Sequence, residues 1–286
     1  MMNKESQIKE LVKEKYAAIA EQSKEQNSTS CCGATTTGCS VDVYNIMSDD
    51  YSQIDGYNPD ADLGLGCGLP TEYARIRQGD TVIDLGSGAG NDCFIARKIT
   101  GENGKVIGID FTEPMITRAR ENAEKLQFKN VEFRQGDIEH MPVSAETADV
   151  IVSNCVLNLV PNKQAVFADI FRVLKPRGHF SISDIVLEGT LPGKWQEVAE
   201  LYAGCVSGAI LKSDYINMIE KAGFKNILIQ KDKPISIPDN ILQNYLSTEE
   251  ISSYKSGETK ITSITVYAEK PGVEDKNCCL PGSGCC

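Results

Sequence analysis

The stretch Val82-Ile-Asp-Leu-Gly-Ser-Gly-Ala-Gly90 decides the fold of this chain. Its apolar start, preceded by Thr81, is typical of a short buried strand, and its glycines stand where such a strand would turn into a helix. A glycine-rich turn at that point lets a ligand approach the backbone closely, as in nucleotide-binding folds. The stretch therefore predicts the opening of a nucleotide-type α/β domain.

Two details of this turn argue against a nicotinamide or flavin site. The glycines Gly86, Gly88 and Gly90 are spaced G-x-G-x-G, whereas dinucleotide sites use G-x-G-x-x-G. In addition, Asp84 stands two residues before the first glycine. A carboxylate suits a cationic ammonium group, such as the methionine end of S-adenosylmethionine, and is poorly placed beside a pyrophosphate. These four residues predict an S-adenosylmethionine site.

The chain after residue 80 alternates between short β-rich runs and helical stretches. The predicted strands cover residues 81–85, 105–110, 131–134, 148–153 and 179–185, and the predicted helices cover 92–99, 113–126 and 163–174. Lys175-Pro-Arg-Gly178 predicts a helix stop followed by a turn. This alternation predicts a doubly wound sheet, parallel in most of its strands, with helices on both faces.

Two further carboxylates follow the second and third predicted strands. Asp110 ends the second strand twenty residues after Gly90, a position from which a carboxylate takes both ribose hydroxyls. Asp137 follows the third strand and is placed to accept from an adenine amino group, while Ile138 packs against the ring. Carboxylates after three successive strands favour a nucleoside site over a simple turn.

The outer parts of the chain divide into four predicted segments. Residues 1–70 hold a helix over 4–22, a Cys-bearing loop over 27–40 and an irregular lid over 41–70. The α/β domain fills 71–190, and a smaller C-terminal region fills 191–270. That region is expected to contain helices over 195–206 and 213–222 and strands over 226–230 and 261–268. Residues 271–286 form a flexible, Cys-rich tail.

Composition and charge exclude several classes of function. A net charge of -11 and a pI near 4.8 argue against nucleic-acid binding, which needs a basic face. The amino terminus does not resemble a secretory signal, and every apolar run is shorter than the roughly 18 residues of a membrane helix. We therefore expect a cytoplasmic protein, acting as a monomer, whose thiols are kept reduced.

Cysteine is abundant in this chain and histidine is scarce. Of the eleven cysteines, four lie near elements that would rim the cofactor cleft: Cys39, Cys67, Cys155 and Cys205. The two histidines leave few bases to deprotonate an oxygen or nitrogen acceptor, so an acceptor with a lone pair and no proton to lose fits better. Converging thiols in a reducing compartment favour a soft metal or a metalloid.

The stretch from Asp80 to Ile185 resembles the class I methyltransferases. The resemblance implies a Rossmann-like fold and places Met115 near the cofactor. The phrase Arg172-Val-Leu-Lys-Pro-Arg-Gly178 is also common in that superfamily.

The chain also resembles the arsenite methyltransferases, over residues 12–270. The phrases that carry this likeness are Ala61-Asp-Leu-Gly-Leu-Gly-Cys-Gly68, Asp84-Leu-Gly-Ser-Gly-Ala-Gly-Asn-Asp92, Ser153-Asn-Cys-Val-Leu-Asn-Leu-Val160 and Tyr202-Ala-Gly-Cys-Val-Ser-Gly208. The likeness implies that Cys67, Cys155 and Cys205 hold trivalent arsenic as thiolates, which makes 191–270 an arsenic-binding region. It further implies that Cys39 forms a disulfide with Cys67 during turnover. Asn154 is assigned to the cofactor site.

Trivalent arsenic fits this set of ligands. It prefers sulfur and becomes pyramidal with three thiolates, which leaves its lone pair at the open apex, where it can attack a sulfonium methyl group in line. Because arsenic is formally oxidised as it gains the methyl group, a thiol reductant such as glutathione or thioredoxin must return electrons. The site needs no structural metal.

Two other functions stay open at this point. A methyltransferase for a small organic acceptor would keep its activity when Cys155 and Cys205 become serine. A metalloid-sequestering protein would bind arsenite without the cofactor, but it leaves the three carboxylates unexplained. Cys93 is assigned to the core. The vicinal pairs Cys31-Cys32, Cys278-Cys279 and Cys285-Cys286 fit either arsenite capture or an exposed surface, and the resemblance does not decide between them.

Overall fold

The computed structural model describes residues 4–22, 49–189, 208–235, 243, 247–256 and 260–272. Three sequence predictions lie outside these residues: the loop over 27–40, the helix over 195–206 and nearly all of the tail over 271–286. Cys39 and Cys205 lie outside them as well. In the described ranges no helix is both long and apolar enough to cross a bilayer.

The elements alternate between helix and strand over most of the chain. In chain order they are α1 (Lys4–Ala20), α2 (Pro70–Tyr73), β1 (Thr81–Leu85), α3 (Asn91–Thr100), β2 (Lys105–Asp110), α4 (Glu113–Lys125), β3 (Val131–Gln135), β4 (Ala148–Asn154), α5 (Lys163–Val173), β5 (Leu174–Glu188), α6 (Lys212–Lys221), β6 (Lys225–Ile235), α7 (Thr248–Ser256) and β7 (Lys260–Glu269). Single 3₁₀ turns at Ile138–His140 and Leu157–Leu159 follow β3 and β4.

The described strands form one seven-stranded sheet in the order β3-β2-β1-β4-β5-β7-β6. Strands β1 to β5 run parallel to one another, and β7 runs antiparallel to both β5 and β6. The chain winds outward from β1 through β2 to β3 and then returns to place β4 on the other side of β1. Because a reversal of this kind opens a crevice at the carboxyl ends of the strands, the sheet positions a ligand site above β1 and β4.

The core lies on both faces of this sheet. Val82 of β1 packs with α3 and α4 through Phe94 and Met115, whereas Ile83, one residue later, packs on the opposite face with α5 through Phe167. Strands buried on both faces read as continuous apolar runs, which is why β1, β2 and β4 lack polar alternation. Strands β1, β2 and β4 are therefore packed on both faces, and their carboxyl ends are held rigidly.

Most predicted elements are confirmed within one or two residues, but two strands are longer than predicted. β5 begins five residues before the predicted 179–185, and β6 ends five residues after the predicted 226–230. The predicted turn at residues 175–178 stops the helix, and Arg177 has a φ of +67°, but β5 already begins at Leu174. The pairing with β4 begins with Leu174 opposite Ala148 and resumes with His179 opposite Val150, so residues 175–178 form a bulge within β5 and do not end the strand. Helices α2 and α7 lack a strong apolar period and were not predicted.

Candidate active site

The glycine turn after β1 is closed tightly against its neighbours. Gly86 has a φ of +66°, and a Cβ there would collide with the side chain of Val156. The N–H groups of Gly86 and Ser87 both donate to the carbonyl of Ile109, at 2.7 and 3.0 Å. Gly88, by contrast, would meet nothing within 4 Å of an added Cβ. The turn is thus fixed by the sheet and leaves its backbone open to a ligand.

A cleft lies above the carboxyl ends of β1, β2 and β4. Eight of the nine predicted cofactor residues line it: Asp84, Gly86, Gly88, Asp110, Met115, Asp137, Ile138 and Asn154. Gly90 does not, because a Cβ there would lie 2.8 Å from the ring of Phe133, so this glycine permits packing behind the turn. Cys155 also lines the cleft. The structure therefore brings the predicted cofactor residues and one predicted arsenic ligand to the same cavity.

Asp84 is buried in the cleft wall among other acids. Its side chain is 2% exposed, and its Oδ2 accepts a hydrogen bond from the Cys93 thiol at 3.3 Å. Burial, followed by the charge of Asp92, raises the pKa of Asp84 well above its ordinary value. Since a cation in the cleft would relieve this repulsion, the site suits an ammonium or sulfonium group. Cys93 is a core residue, as predicted, but it also orients this carboxylate.

Asp110 is held by the backbone around the glycine turn. Its Oδ2 accepts from the N–H of Gly88 at 3.1 Å and its Oδ1 from the N–H of Thr112 at 2.8 Å. Burial raises its pKa in spite of these hydrogen bonds. The nearby hydroxyl of Ser87 is buried and lacks a hydrogen-bond partner among the described residues. This end of the cleft offers a fixed acceptor and an unsatisfied polar atom, a combination that fits a sugar with hydroxyl groups.

Helix α1 forms the wall beside Asp137. The Lys9 Nζ lies 2.7 Å from Asp137 Oδ2 and also pairs with Glu139, while Asp137 Oδ1 accepts from the N–H of Glu139 at 2.9 Å. Val12 and Tyr16 line the cleft from the same helix. The sequence analysis missed this wall, although the spacing of residues 9, 12 and 16 on one helical face was a usable signal.

Cys67 and Cys155 are both buried, and both are linked to Asn154. Their side chains are 0% and 4% exposed. Cys155 follows β4 with a φ of +61°, and its N–H donates to the carbonyl of Ser183 at 2.8 Å. The N–H of Cys67 donates to Asn154 Oδ1 at 3.0 Å, and the hydroxyl of Ser263 donates to the Cys67 carbonyl. The backbone of one predicted ligand is therefore bonded to the residue that precedes the other.

A polar cluster connects Asn154 to the cofactor cleft. The hydroxyl of Tyr51 lies 3.0 Å from both the Gly68 carbonyl and Asp92 Oδ2, and Asn154 Nδ2 donates to Tyr51 and, at 2.8 Å, to the same carbonyl. Burial raises the pKa of Asp92 to about 6, even though Tyr51 and Asn154 donate to it. Sequence reasoning missed Tyr51, which is 41 residues from Asp92 and carries no motif. Asp92 belongs to the stretch from Asp84 to Asp92 that carries the family resemblance, but no role was predicted for it.

A second buried acid lies on the opposite face of the sheet. Asp184 of β5 is fully buried, and burial raises its pKa to about 7. The hydroxyl of Tyr215 donates to it at 3.4 Å. Burial raises the pKa of Tyr215 far above its usual range, and negative charge at Asp184, Cys67 and Cys155 raises it further. Tyr215 therefore stays protonated, within electrostatic range of both cysteines.

The sheet order, the glycine turn after β1 and the carboxylates after β1, β2 and β3 together define a class I, Rossmann-like methyltransferase. A family model described as a methyltransferase domain matches residues 76–223.

The relatives narrow this class to one family. An arsenite methyltransferase of Halobacterium salinarum is 38% identical over 94% of this chain and 68% of its own length. One from Aquipseudomonas alcaligenes is 32% identical over 83% of this chain and 68% of its own length. The crystal structure of an arsenic(III) S-adenosylmethionine methyltransferase from Chlamydomonas reinhardtii superposes with a TM-score of 0.62 at 29% identity, covering 81% of this chain and 74% of that one. The chain belongs to the arsenite methyltransferase family.

Proposed function

We propose that this protein transfers the methyl group of S-adenosylmethionine to trivalent arsenic held by cysteine thiolates, giving methylated arsenicals in a detoxification reaction. The main support for the proposal is the arrangement of residues where β4 ends at the cleft. There Asn154 bonds the backbone of Cys67 and is followed directly by Cys155, which lines the cofactor cleft. Family membership supports the same chemistry.

The cleft provides a complementary group for each part of the cofactor. Asp84 takes the ammonium group, Asp110 the ribose hydroxyls, and Asp137 with Ile138 the adenine. Gly86, Gly88 and Gly90 shape the turn beneath, and Met115 and Asn154 complete the wall. S-adenosylmethionine, when bound, supplies an electrophilic methyl group on a positively charged sulfur. The acids around Asp84 stabilise that charge, and the buried apolar wall excludes water.

The thiolates of Cys67, Cys155 and Cys205 hold the arsenic. Three sulfur ligands leave a lone pair on arsenic as the nucleophile, so the transfer needs no base. A rigid β4 end and a tethered Cys67 loop reduce the freedom of two ligands before arsenic arrives, which lowers the entropic cost of the reaction.

Each methyl transfer requires two electrons for the arsenic. We assign them to Cys39 and Cys67, which form a disulfide as arsenic returns to the trivalent state. Glutathione or thioredoxin then reduces the disulfide in the cytoplasm, where the protein acts as a monomer. In this scheme residues 1–70 form a lid that carries Cys39, residues 71–190 bind the cofactor, residues 191–270 supply Cys205, and residues 271–286 form a tail.

Speciation of arsenic after incubation tests the function. The purified protein, arsenite, S-adenosylmethionine and a thiol reductant should yield methylated arsenic, separated by chromatography and detected by elemental mass spectrometry. The Cys155→Ser variant should form no methylated arsenic but should bind S-adenosylhomocysteine as tightly as the wild-type protein. If the wild-type reaction returns only inorganic arsenic, the proposal is wrong. A Cys155→Ser variant that methylates arsenite at the wild-type rate would remove that thiol from the mechanism.

A further inference from the structure

We propose that Tyr51 is a positioning residue for Cys67 and that it acts from within the cofactor cleft. Its hydroxyl connects the cleft acid Asp92 to the loop that carries Cys67, so the two halves of the reaction share one hydrogen-bonded cluster. The proposal rests on the function given above, because it assumes that Cys67 is a ligand of arsenic.

The hydroxyl of Tyr51 lies where the loop and the cleft meet. The side chain is 5% exposed, and its oxygen is 3.0 Å from the Gly68 carbonyl and 3.0 and 3.2 Å from the two oxygens of Asp92. Burial keeps the pKa of Tyr51 well above its usual value, and the charge of Asp92 raises it further. The phenol therefore stays protonated and works as a donor at any physiological pH.

One hydroxyl proton cannot serve all of these acceptors at once. Asn154 Nδ2 donates to the tyrosine oxygen and, at 2.8 Å, to the Gly68 carbonyl. The Tyr51 hydroxyl can therefore donate either to the Gly68 carbonyl or to the Asp92 carboxylate, and the charge on Asp92 determines which of the two accepts the hydrogen bond. An ionised Asp92 attracts the proton, whereas an Asp92 neutralised by a bound cation or by protonation releases it to Gly68.

Gly68, whose carbonyl accepts from Tyr51, is the residue that follows Cys67. The N–H of Cys67 is held by Asn154 at 3.0 Å, and its carbonyl accepts from Ser263. The loop also has little space to move, since a Cβ at Gly66 would lie 2.6 Å from Asn154 Nδ2. When Asp92 is neutralised, Tyr51 therefore joins Asn154 Nδ2 in holding the Gly68 carbonyl on the carboxyl side of Cys67, while Asn154 Oδ1 holds the amino side.

The variant Tyr51→Phe removes only the hydroxyl group. Tyr267→Phe is the control, because the Tyr267 side chain is also shielded from solvent and its hydroxyl donates to Glu269 at 2.6 Å, away from the cleft and nearer the surface. Three quantities are measured in both variants: the affinity for S-adenosylhomocysteine, the rate at which iodoacetamide alkylates Cys67 and Cys155 by peptide mass spectrometry, and the KM for arsenite and for S-adenosylmethionine.

In the S-adenosylhomocysteine complex, where the bound ammonium group offsets the charge of the cleft acids, we expect Cys67 of Tyr51→Phe to be alkylated about tenfold faster than in the wild-type protein, the equivalent of one buried hydrogen bond. Cys155, which is held by Ser183, should keep its rate to within about twofold, since its anchor is untouched. The KM for arsenite should rise while the KM for S-adenosylmethionine and the affinity for S-adenosylhomocysteine stay near the wild-type values. Tyr267→Phe should change none of these quantities.

Two results would overturn the proposal. An unchanged Cys67 alkylation rate would show that the hydroxyl does not hold the loop. A large loss of S-adenosylhomocysteine binding, with or without unfolding, would make Tyr51 a cofactor or structural residue. Alkylation and S-adenosylhomocysteine binding need no methyl transfer, so they test the role of Tyr51 even if the protein does not methylate arsenite.

Discussion

The side chain of Asn154 holds the backbone of Cys67, a residue 87 positions earlier in the chain. Its Oδ1 accepts from the Cys67 N–H at 3.0 Å, and its Nδ2 donates to the Gly68 carbonyl at 2.8 Å. Because Cys155 is the next residue, one asparagine sets the relative positions of two cysteines that come from distant parts of the sequence.

Replacing this asparagine tests how far the reaction depends on it. Asn154→Ala removes both hydrogen bonds, and each buried bond of this kind contributes about 1 kcal/mol. We expect the KM for arsenite to rise about tenfold or more, together with a smaller loss of cofactor affinity, since Asn154 also lines the cleft. Steady-state kinetics with each substrate varied separately measures the two effects. A loss confined to cofactor binding would contradict this arrangement.

Helix α1 should contribute modestly to cofactor affinity. Lys9→Met keeps the apolar stem and removes the charge that pairs with Asp137 and Glu139. Partly exposed ion pairs contribute about 0 to 1 kcal/mol, so the Kd for S-adenosylhomocysteine should rise by no more than about fivefold. Lys13→Met, on the exposed side of α1, is the control. The difference between the two variants, measured by calorimetry, should shrink in high salt. Equal affinities at low salt would show that α1 does not support the cleft.

The pKa of Asp92 predicts a pH-dependent stability. Its value in the folded protein, about 6, lies above the ordinary 3.8, so ionisation is disfavoured by folding. The cost is absent below pH 3.8, grows as the pH rises towards 6 and is complete above it. Asp92→Asn should therefore stabilise the cofactor-free protein by about 3 kcal/mol at pH 8 and by little near pH 4. Denaturant unfolding at several pH values measures this difference.

Glu132 provides a control with the opposite sign. Hydrogen bonds from Arg134 and Lys105 lower its pKa to about 2, so its ionised form stabilises the fold above pH 4.5 and the benefit is lost as the pH falls through about 2. Glu132→Gln should be destabilising at pH 8. If the Asp92→Asn effect were the same at every pH, the ionisation of Asp92 would not be its cause.

The thiol of Cys93 should affect the cofactor and leave arsenic binding unchanged. It donates to Asp84 Oδ2 at 3.3 Å on the wall of the cleft. Cys93→Ala should weaken S-adenosylmethionine binding about threefold to tenfold, and Cys93→Ser, which keeps a donor, should restore most of it. Binding of phenylarsine oxide should be unchanged in both variants. A weaker arsenical affinity in the serine variant would place Cys93 among the arsenic ligands.

Trp195, the only tryptophan, provides a direct test of Cys205. It precedes that cysteine by ten residues, a distance of about 15 Å if the intervening segment is helical. Arsenite should change the tryptophan fluorescence of the wild-type protein, and Cys205→Ser should weaken the response. An identical titration in the variant would count against Cys205 as a ligand.

Much of the fold could be predicted because it depends on short-range patterns. The strand before Gly86 is apolar at Val82, Ile83 and Leu85, and the turn needs glycine where the backbone takes a φ of +66°. Both features are visible within ten residues of sequence. The order of the last three strands was harder to predict, because the antiparallel placement of β7 between β5 and β6 depends on which strands pair in the folded protein.

The amino-acid sequence by itself determined the class of fold, the three carboxylates that line the cleft and the cysteine at the end of β4, since all of these depend on local spacing and residue type. Only the tertiary structure determined which of these residues form hydrogen bonds or ion pairs with each other. Lys9 reaches Asp137 across 128 residues, Tyr51 reaches Asp92 across 41, and Asn154 reaches Cys67 across 87. Such contacts form only after the strand order has brought separate segments to the same end of the sheet. A local pattern of residues therefore specifies which groups are present, and packing specifies which of them act together.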